Sequence, residues 1–346
     1  MGPAHSRSDT RTSAAQPAKN TAHALLLLLL LLLLLLLLRL APRAGPGRAG
    51  LHQPVQCGHA LTLPAMNDRL AILLQSLLPK RALTVAVGAL AGTRGGGLTH
   101  AAVRRFIARY GVDMSEAAHP AIEHYPTFNE FFSRPLRAGV RPLADAPWVC
   151  PVDGSISQFG SIAGDRIFQA KGHDYTIRAL VGGDAALAAQ FEDGAFATLY
   201  LSPKDYHRIH MPCSGRVRRM IHVPGSLYSV NPATARGVPG LFARNERVVC
   251  VFDSEYGPFV MALVGATIVG SMATVWHGVV NPPRPGMIRE WQYDGGEHLE
   301  RGAEMGRFLL GSTVVLLFPR RTLRFNPGWA PGRVIRMGEA MGFVME

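Results

Sequence analysis

The chain is predicted to be an α+β protein, with N-terminal amphipathic helices packed on a mostly antiparallel β core of sandwich or barrel-like form. Three observations predict this. Between Met66 and Tyr110 apolar residues recur at helical spacing. Beyond Trp148 they gather instead into short β-branched and apolar runs parted by Gly, Pro, Asp or Asn. Regular alternation of strand and helix, the mark of a doubly wound parallel sheet, is missing.

A length of 346 residues suits one large or two modest domains with a sizeable core. Apolar residues make up 48% and charged residues 17%, against about 25% charged in an ordinary globular chain. The formal charge of +12 suits an anionic partner, either a nucleic acid or an acidic membrane face. No zinc-finger spacing, RNA-binding aromatic signature or dense Lys/Arg tract is present, so nucleic acid is disfavoured and an anionic membrane surface preferred. Cys57, Cys150, Cys213 and Cys250 are scattered without a CxxC pair, which argues for a reducing interior and against a thiolate metal site.

Residues 1–65 read as a low-complexity extension. A basic lead runs into the uninterrupted tract Leu25–Leu38, which spans about 21 Å as a helix, short of the roughly 30 Å hydrocarbon core of a bilayer. An Ala/Pro/Gly-rich linker follows over 41–65. The extension is expected to be disordered, a targeting segment or untranslated, with the working protein starting at Met66. Residues 66–147 are expected to form a helical, membrane-associating region. There, Leu70, Leu73, Leu74, Leu77 and Leu78 share one helical face and Pro79 ends the run. Ala82–Ala91 is a second apolar stretch. Val103, Phe106, Ile107 and Tyr110 stand at i, i+3, i+4 and i+7, with Arg104, Arg105 and Arg109 between them and Gly111 as the C-terminal cap. Such a basic amphipathic helix suits a membrane interface, or simply packs on the globule. Thr127 to Glu130 reads as a capping box opening a short helix.

Residues 148–346 are expected to be the β-rich catalytic domain. Strands are predicted at 156–162, 166–170, 197–201, 217–223, 248–252, 259–269, 274–279, 313–318 and 334–337, and one further helix at 179–191. Ahead of the 313–318 run stands Gly311-Ser312-Thr313. A serine at the mouth of a strand is a nucleophile only if a base takes its proton, and is otherwise a turn residue. Asp153-Gly154 supplies a carboxylate at what also reads as an ordinary turn. Asp205-Tyr206-His207-Arg208-Ile209-His210 places two histidines three apart after a strand. No H-E-x-x-H spacing or third ligand accompanies them, so no metal is expected. Asp153, one of these two histidines and Ser312 are thus the parts of an orienter, base and nucleophile relay. The residues leave two alternatives open: a serine hydrolase built on the same three groups, although G-x-S-x-G is absent, and a non-enzymatic membrane-docking module.

From about Met66 to the C-terminus the chain resembles the phosphatidylserine decarboxylases in their short bacterial form. The resemblance rests on ordered motifs: residues 125–132 (Tyr125-Pro126-Thr127-Phe128-Asn129-Glu130-Phe131-Phe132), Arg134-Pro135-Leu136-Arg137, Asp153-Gly154, Lys171-Gly172 with Tyr175, residues 205–212, residues 240–247, Val264-Gly265-Ala266 and Leu310-Gly311-Ser312-Thr313. It implies a zymogen that makes its own cofactor. The hydroxyl of Ser312 attacks the Gly311 carbonyl and the peptide rearranges to an ester. Elimination then splits the chain between Gly311 and Ser312, leaving a pyruvoyl group at the new N-terminus and a heterodimer of a large chain and the small chain 312–346. Asp153 and His210 serve as orienter and base. The pyruvoyl ketone forms a Schiff base with the serine amine of phosphatidylserine and accepts the electrons left as carbon dioxide departs, giving phosphatidylethanolamine. His207 matches the residue that handles protons in decarboxylation. The implied location is peripheral, on the cytoplasmic face of the bacterial inner membrane.

Overall fold

The β runs above are expected to form a mostly antiparallel core, and a computed structural model shows how they pair. It describes residues 80–266, 271–281, 286–309 and 312–345. The expected extension over 1–65 and the helix around Leu70–Leu78 lie outside them.

The main sheet has nine strands. Across it run Arg289–Gln292, Gly215–Val223, Arg247–Ser254, Gly257–Val264, Ser312–Phe318, Ala195–Leu201, Gly154–Ser161 and Val334–Ile335, with His298–Leu299 also on Gly215–Val223. All these pairings are antiparallel. The strand opened by Ser312 lies centrally and is bonded along its length to Gly257–Val264 and Ala195–Leu201. Its residues alternate between two cores, as a two-residue period requires. Val314, Leu316 and Phe318 join one with Met261, Leu263, Ile209, Met305 and Phe308. Val315 and Leu317 join the other with Val260, Ala262, Leu180, Phe191 and Phe242. Smaller sheets cover the first face and short helices the second, so both faces are dry. That is why the central strand reads as an unbroken apolar run rather than an alternating one.

The expected fold class describes this architecture. Three predicted elements differ. The helix at 179–191 is two short ones, Ile177–Leu180 and Ala185–Ala189. Gly182 and Gly183 between them take φ 85° and 98°, a region that glycine enters freely. Asp184 then caps the second, accepting from Leu187 N–H at 2.9 Å. The 274–279 strand is a hairpin of Met272–Thr274 and Gly278–Val279, and the 259–269 strand closes at Val264.

Helices Lys80–Ala91, Gly97–Tyr110 and Phe128–Phe132 precede the sheet. Gly111 closes the second at φ 68° with its N–H on the Ile107 carbonyl, and Thr127 Oγ1 caps the third by accepting from Glu130 N–H at 3.1 Å. Val103 and Phe106 are buried. The Phe106 ring packs edge-on against Phe128 and Phe131, at 5.3 and 5.9 Å between centroids. The apolar stripe of this helix is therefore spent inside the protein, while Arg104 and Arg105 stay exposed beside exposed Leu98.

Candidate active site

The sheet brings the three chemical segments to one end. Ser312 pairs with Leu201, and Thr313 with Val264 and Tyr200. Tyr200 pairs on its other side with Ser155, and Gly154 with Ile335. With strands about 4.8 Å apart, Asp153-Gly154 enters the sheet about two strand widths, roughly 10 Å, from where the Ser312 strand begins. Gly154 is more than a turn former: a Cβ there would overlap the Tyr200 carbonyl oxygen. Only glycine allows this close approach. Gly311, the other half of the expected cleavage site, lies outside the described residues.

Asp153 is buried. Its carboxylate receives Arg141 Nε at 3.0 and 3.2 Å, Arg141 Nη2 at 2.5 Å and the Met337 N–H at 2.8 Å. Arg141 also donates to Glu116 at 2.6 Å, and Glu116 receives Arg336 at 2.9 Å. Burial works against the Arg141 charge, but its bonds to Asp153 and Glu116 outweigh burial and raise its pKa. Sequence reasoning missed Arg141 and Glu116, since neither sits in a chemical motif.

His210 ends the short strand Arg208–His210 and hangs from the same segment, its N–H on the Pro151 carbonyl at 2.8 Å. Its ring is not hydrogen-bonded to Asp153, the arrangement expected of an orienter. Nδ1 meets the Gly302 carbonyl at 2.8 Å, and Nε2 meets the Tyr206 hydroxyl at 2.9 Å. The Asp153 oxygens are engaged by a guanidinium instead, and bonds between charged partners are stronger than a neutral imidazole would offer. Burial lowers the His210 pKa, although the Gly302 bond and the charges of Glu304 and Asp153 favour the proton. The ring is therefore neutral at pH 7. A carbonyl only accepts, so Nδ1 carries the hydrogen and Nε2 the lone pair.

His207 is fully buried. Its Nδ1 lies 2.8 Å from the Asp205 carbonyl, and among the described residues its Nε2 has no hydrogen-bond partner. The Phe132 ring stands 4.0 Å away between centroids. Burial pushes the His207 pKa down to about 3, so this ring too is neutral, with its lone pair on Nε2. Arg208 pins the strand between them, donating Nε to the Ser133 carbonyl at 2.8 Å and Nη1 to Glu304 at 2.7 Å. The Thr127–Arg134 segment thus forms one wall of the site. The end of the sheet holds two neutral imidazoles with different surroundings: one linked to a phenol, the other packed on the Phe132 ring. Among the described residues no group of His, Cys, Asp and Glu side chains is placed to hold a metal ion.

Comparison with known proteins gives the chain a family. The family model described as Phosphatidylserine decarboxylase matches residues 128–343, and one described as PSD matches residues 70–111. The phosphatidylserine decarboxylase proenzyme of Azoarcus sp. (strain BH72) is 72% identical over 278 residues, covering 80% of this chain and 96% of that relative. The proenzyme of the same name from Dechloromonas aromatica (strain RCB) is 68% identical over 278 residues, covering 80% of this chain and 99% of the relative. That from Methylibium petroleiphilum is 70% identical over 279 residues, again 80% of this chain and 99% of the relative. The first family match spans the histidine segment, the central strand and the Gly311-Ser312 junction, and on these matches the chain belongs to the phosphatidylserine decarboxylase family.

Proposed function

We propose that this chain is a phosphatidylserine decarboxylase made as a proenzyme, which splits itself between Gly311 and Ser312 and works through a pyruvoyl group left at Ser312. Family membership at about 70% identity over nearly the whole length of its relatives carries the reading. The name proenzyme, borne by each of those relatives, supports maturation by cleavage.

The residues present suit such a group. Thr313–Leu317 are bonded to a strand on either side, so a cut before Ser312 leaves the new terminus anchored and holds the large and small chains together as a heterodimer. When formed, the pyruvoyl carbonyl would supply the electron sink that decarboxylation needs. The chain's own residues then divide the proton work. His210 acts as base toward the Ser312 hydroxyl during maturation, with Gly302 fixing its tautomer and Asp153 favouring its cationic form through charge. His207 is assigned the proton that replaces carbon dioxide: its Nε2 lone pair, open among the described residues, first takes up a proton and then passes it on. Phe132 and the buried surroundings keep water from it.

Residues 66–147 serve in this reading as the membrane-associating region and 148–346 as the catalytic domain. The protein sits peripherally on the anionic cytoplasmic face of the bacterial inner membrane. Among the described residues no helix is long and apolar enough to cross a bilayer. Exposed Val85 and Leu98, with Arg104 and Arg105, offer a basic and apolar surface for that contact.

Intact-mass measurement of the purified protein tests the proposal. The wild type should give two chains, the smaller beginning at position 312 and lighter than its sequence by one ammonia. Ser312→Ala should remain a single chain without decarboxylase activity. Cleavage of that variant at the same bond would overturn the reading.

A further inference from the structure

The neutral His210 ring has one lone pair, and it is already engaged. Nδ1 is committed to the Gly302 carbonyl at 2.8 Å, so Nε2 is the only nitrogen that can take a proton, and the Tyr206 hydroxyl lies 2.9 Å from it. Both side chains are buried, Tyr206 at 5% exposure and His210 at 9%. A hydroxyl facing a lone pair donates to it. Any proton that reaches His210 must therefore pass through Tyr206 or displace it.

The geometry points to Tyr206 as the relay through which His210 acts as a base. The phenol O–H bond breaks and an Nε2–H bond forms. The phenol oxygen in turn takes the proton of the Ser312 hydroxyl, so that the tyrosine ends as it began. The net change is one imidazolium and one serine alkoxide, with no other reactant. This rests on the reading of His210 as the maturation base. It adds that the base does not touch the nucleophile directly, and that the acidity of the phenol sets the rate. Tyr206 is held for the task by its neighbours in sequence: Ser202 N–H bonds the Asp205 carboxylate at 2.7 Å, and His207 Nδ1 bonds the Asp205 carbonyl. The backbone on either side of Tyr206 is thereby fixed.

The test follows the rate of self-cleavage in full-length precursor freshly refolded from denaturant. Relay predicts that Tyr206→Phe slows cleavage by about 10²-fold or more, the usual worth of a positioned proton donor. Mere occupancy of Nε2 predicts the opposite: removing the hydroxyl frees the lone pair, and cleavage is unchanged or faster. Should Tyr206→Phe fail to refold, 3,5-difluorotyrosine at position 206 keeps the size and makes the phenol more acidic. A relay then moves the pH-rate profile of cleavage to lower pH, whereas a purely structural tyrosine leaves it in place. Arg208, Glu304, Asp153 and Arg307, the charged groups that act on this pair, are common to all variants. His210→Ala separates the two claims. If it cleaves at the wild-type rate, the base assignment itself fails; if it is blocked while both Tyr206 variants behave as wild type, only the relay is overturned.

Discussion

Replacing Arg141 by methionine isolates the electrostatic support beneath the site. The Arg141 and Asp153 side chains are only 5% and 10% exposed, so solvent screens their attraction little. Arg141→Met keeps most of the apolar stem but removes every guanidinium bond, leaving Asp153 with the Met337 N–H alone among the described residues. Stranding one member of a buried pair costs about 3–5 kcal/mol. Glu116 suffers less, because Arg336 still reaches it at 2.9 Å. Measured in a Ser312→Ala background, so that every species is one chain, the loss should lower the midpoint of thermal unfolding by roughly 10 °C. Asp153→Asn retains an acceptor for Met337 and leaves Arg141 its bond to Glu116, so it should cost less. In the double variant both charges are gone, and stability should recover toward that of Asp153→Asn, a coupling of about 2 kcal/mol or more by urea denaturation. Single-variant losses that simply add, or an Arg141→Met cost under about 1 kcal/mol, would refute the reasoning.

Three other predictions follow from the histidines and the helices. His210→Ala should block maturation, whereas His207→Ala should mature yet decarboxylate poorly; gel analysis paired with carbon dioxide release checks this, and the reverse pattern would exchange their roles. Burial holds both histidines below the ordinary histidine pKa, His207 at about 3. The unfolded chain thus binds protons below about pH 6.5 that the folded protein refuses, and stability should fall from pH 7.5 to 5.5 by up to about 1.4 kcal/mol per unit for each. Urea titrations of Ser312→Ala should show that slope, and His207→Gln should flatten it; an unchanged slope would show that His207 is not buried as a neutral ring. Sedimentation with vesicles should be stronger for anionic than neutral lipid and weaken with salt, since each basic residue near such a surface contributes about 1 kcal/mol. Equal pelleting under all conditions would remove Arg104 and Arg105 from the membrane contact.

What the amino-acid sequence determined by itself is what local chemistry encodes. Thr127 and Gly111 mark helix ends because a side-chain oxygen or a positive φ satisfies the neighbouring backbone within a few residues. The central strand is legible as an apolar run because the sheet is dry on both faces, and Gly311-Ser312 stands out at its mouth. Other features had no local signal. Arg289–Gln292 and His298–Leu299 are short, polar edge strands whose hydrogen bonds are supplied by Gly215–Val223, so only the tertiary structure makes them strands. The partners of the site were hidden for the same reason. Asp153 was visible, but its pairing with Arg141 rather than His210 depends on which elements the fold brings to the end of the sheet. The group that fixes the His210 tautomer is the Gly302 carbonyl, 92 positions away, and a backbone carbonyl belongs to every residue alike, so nothing in a sequence singles it out until the fold puts it within 2.8 Å of the ring.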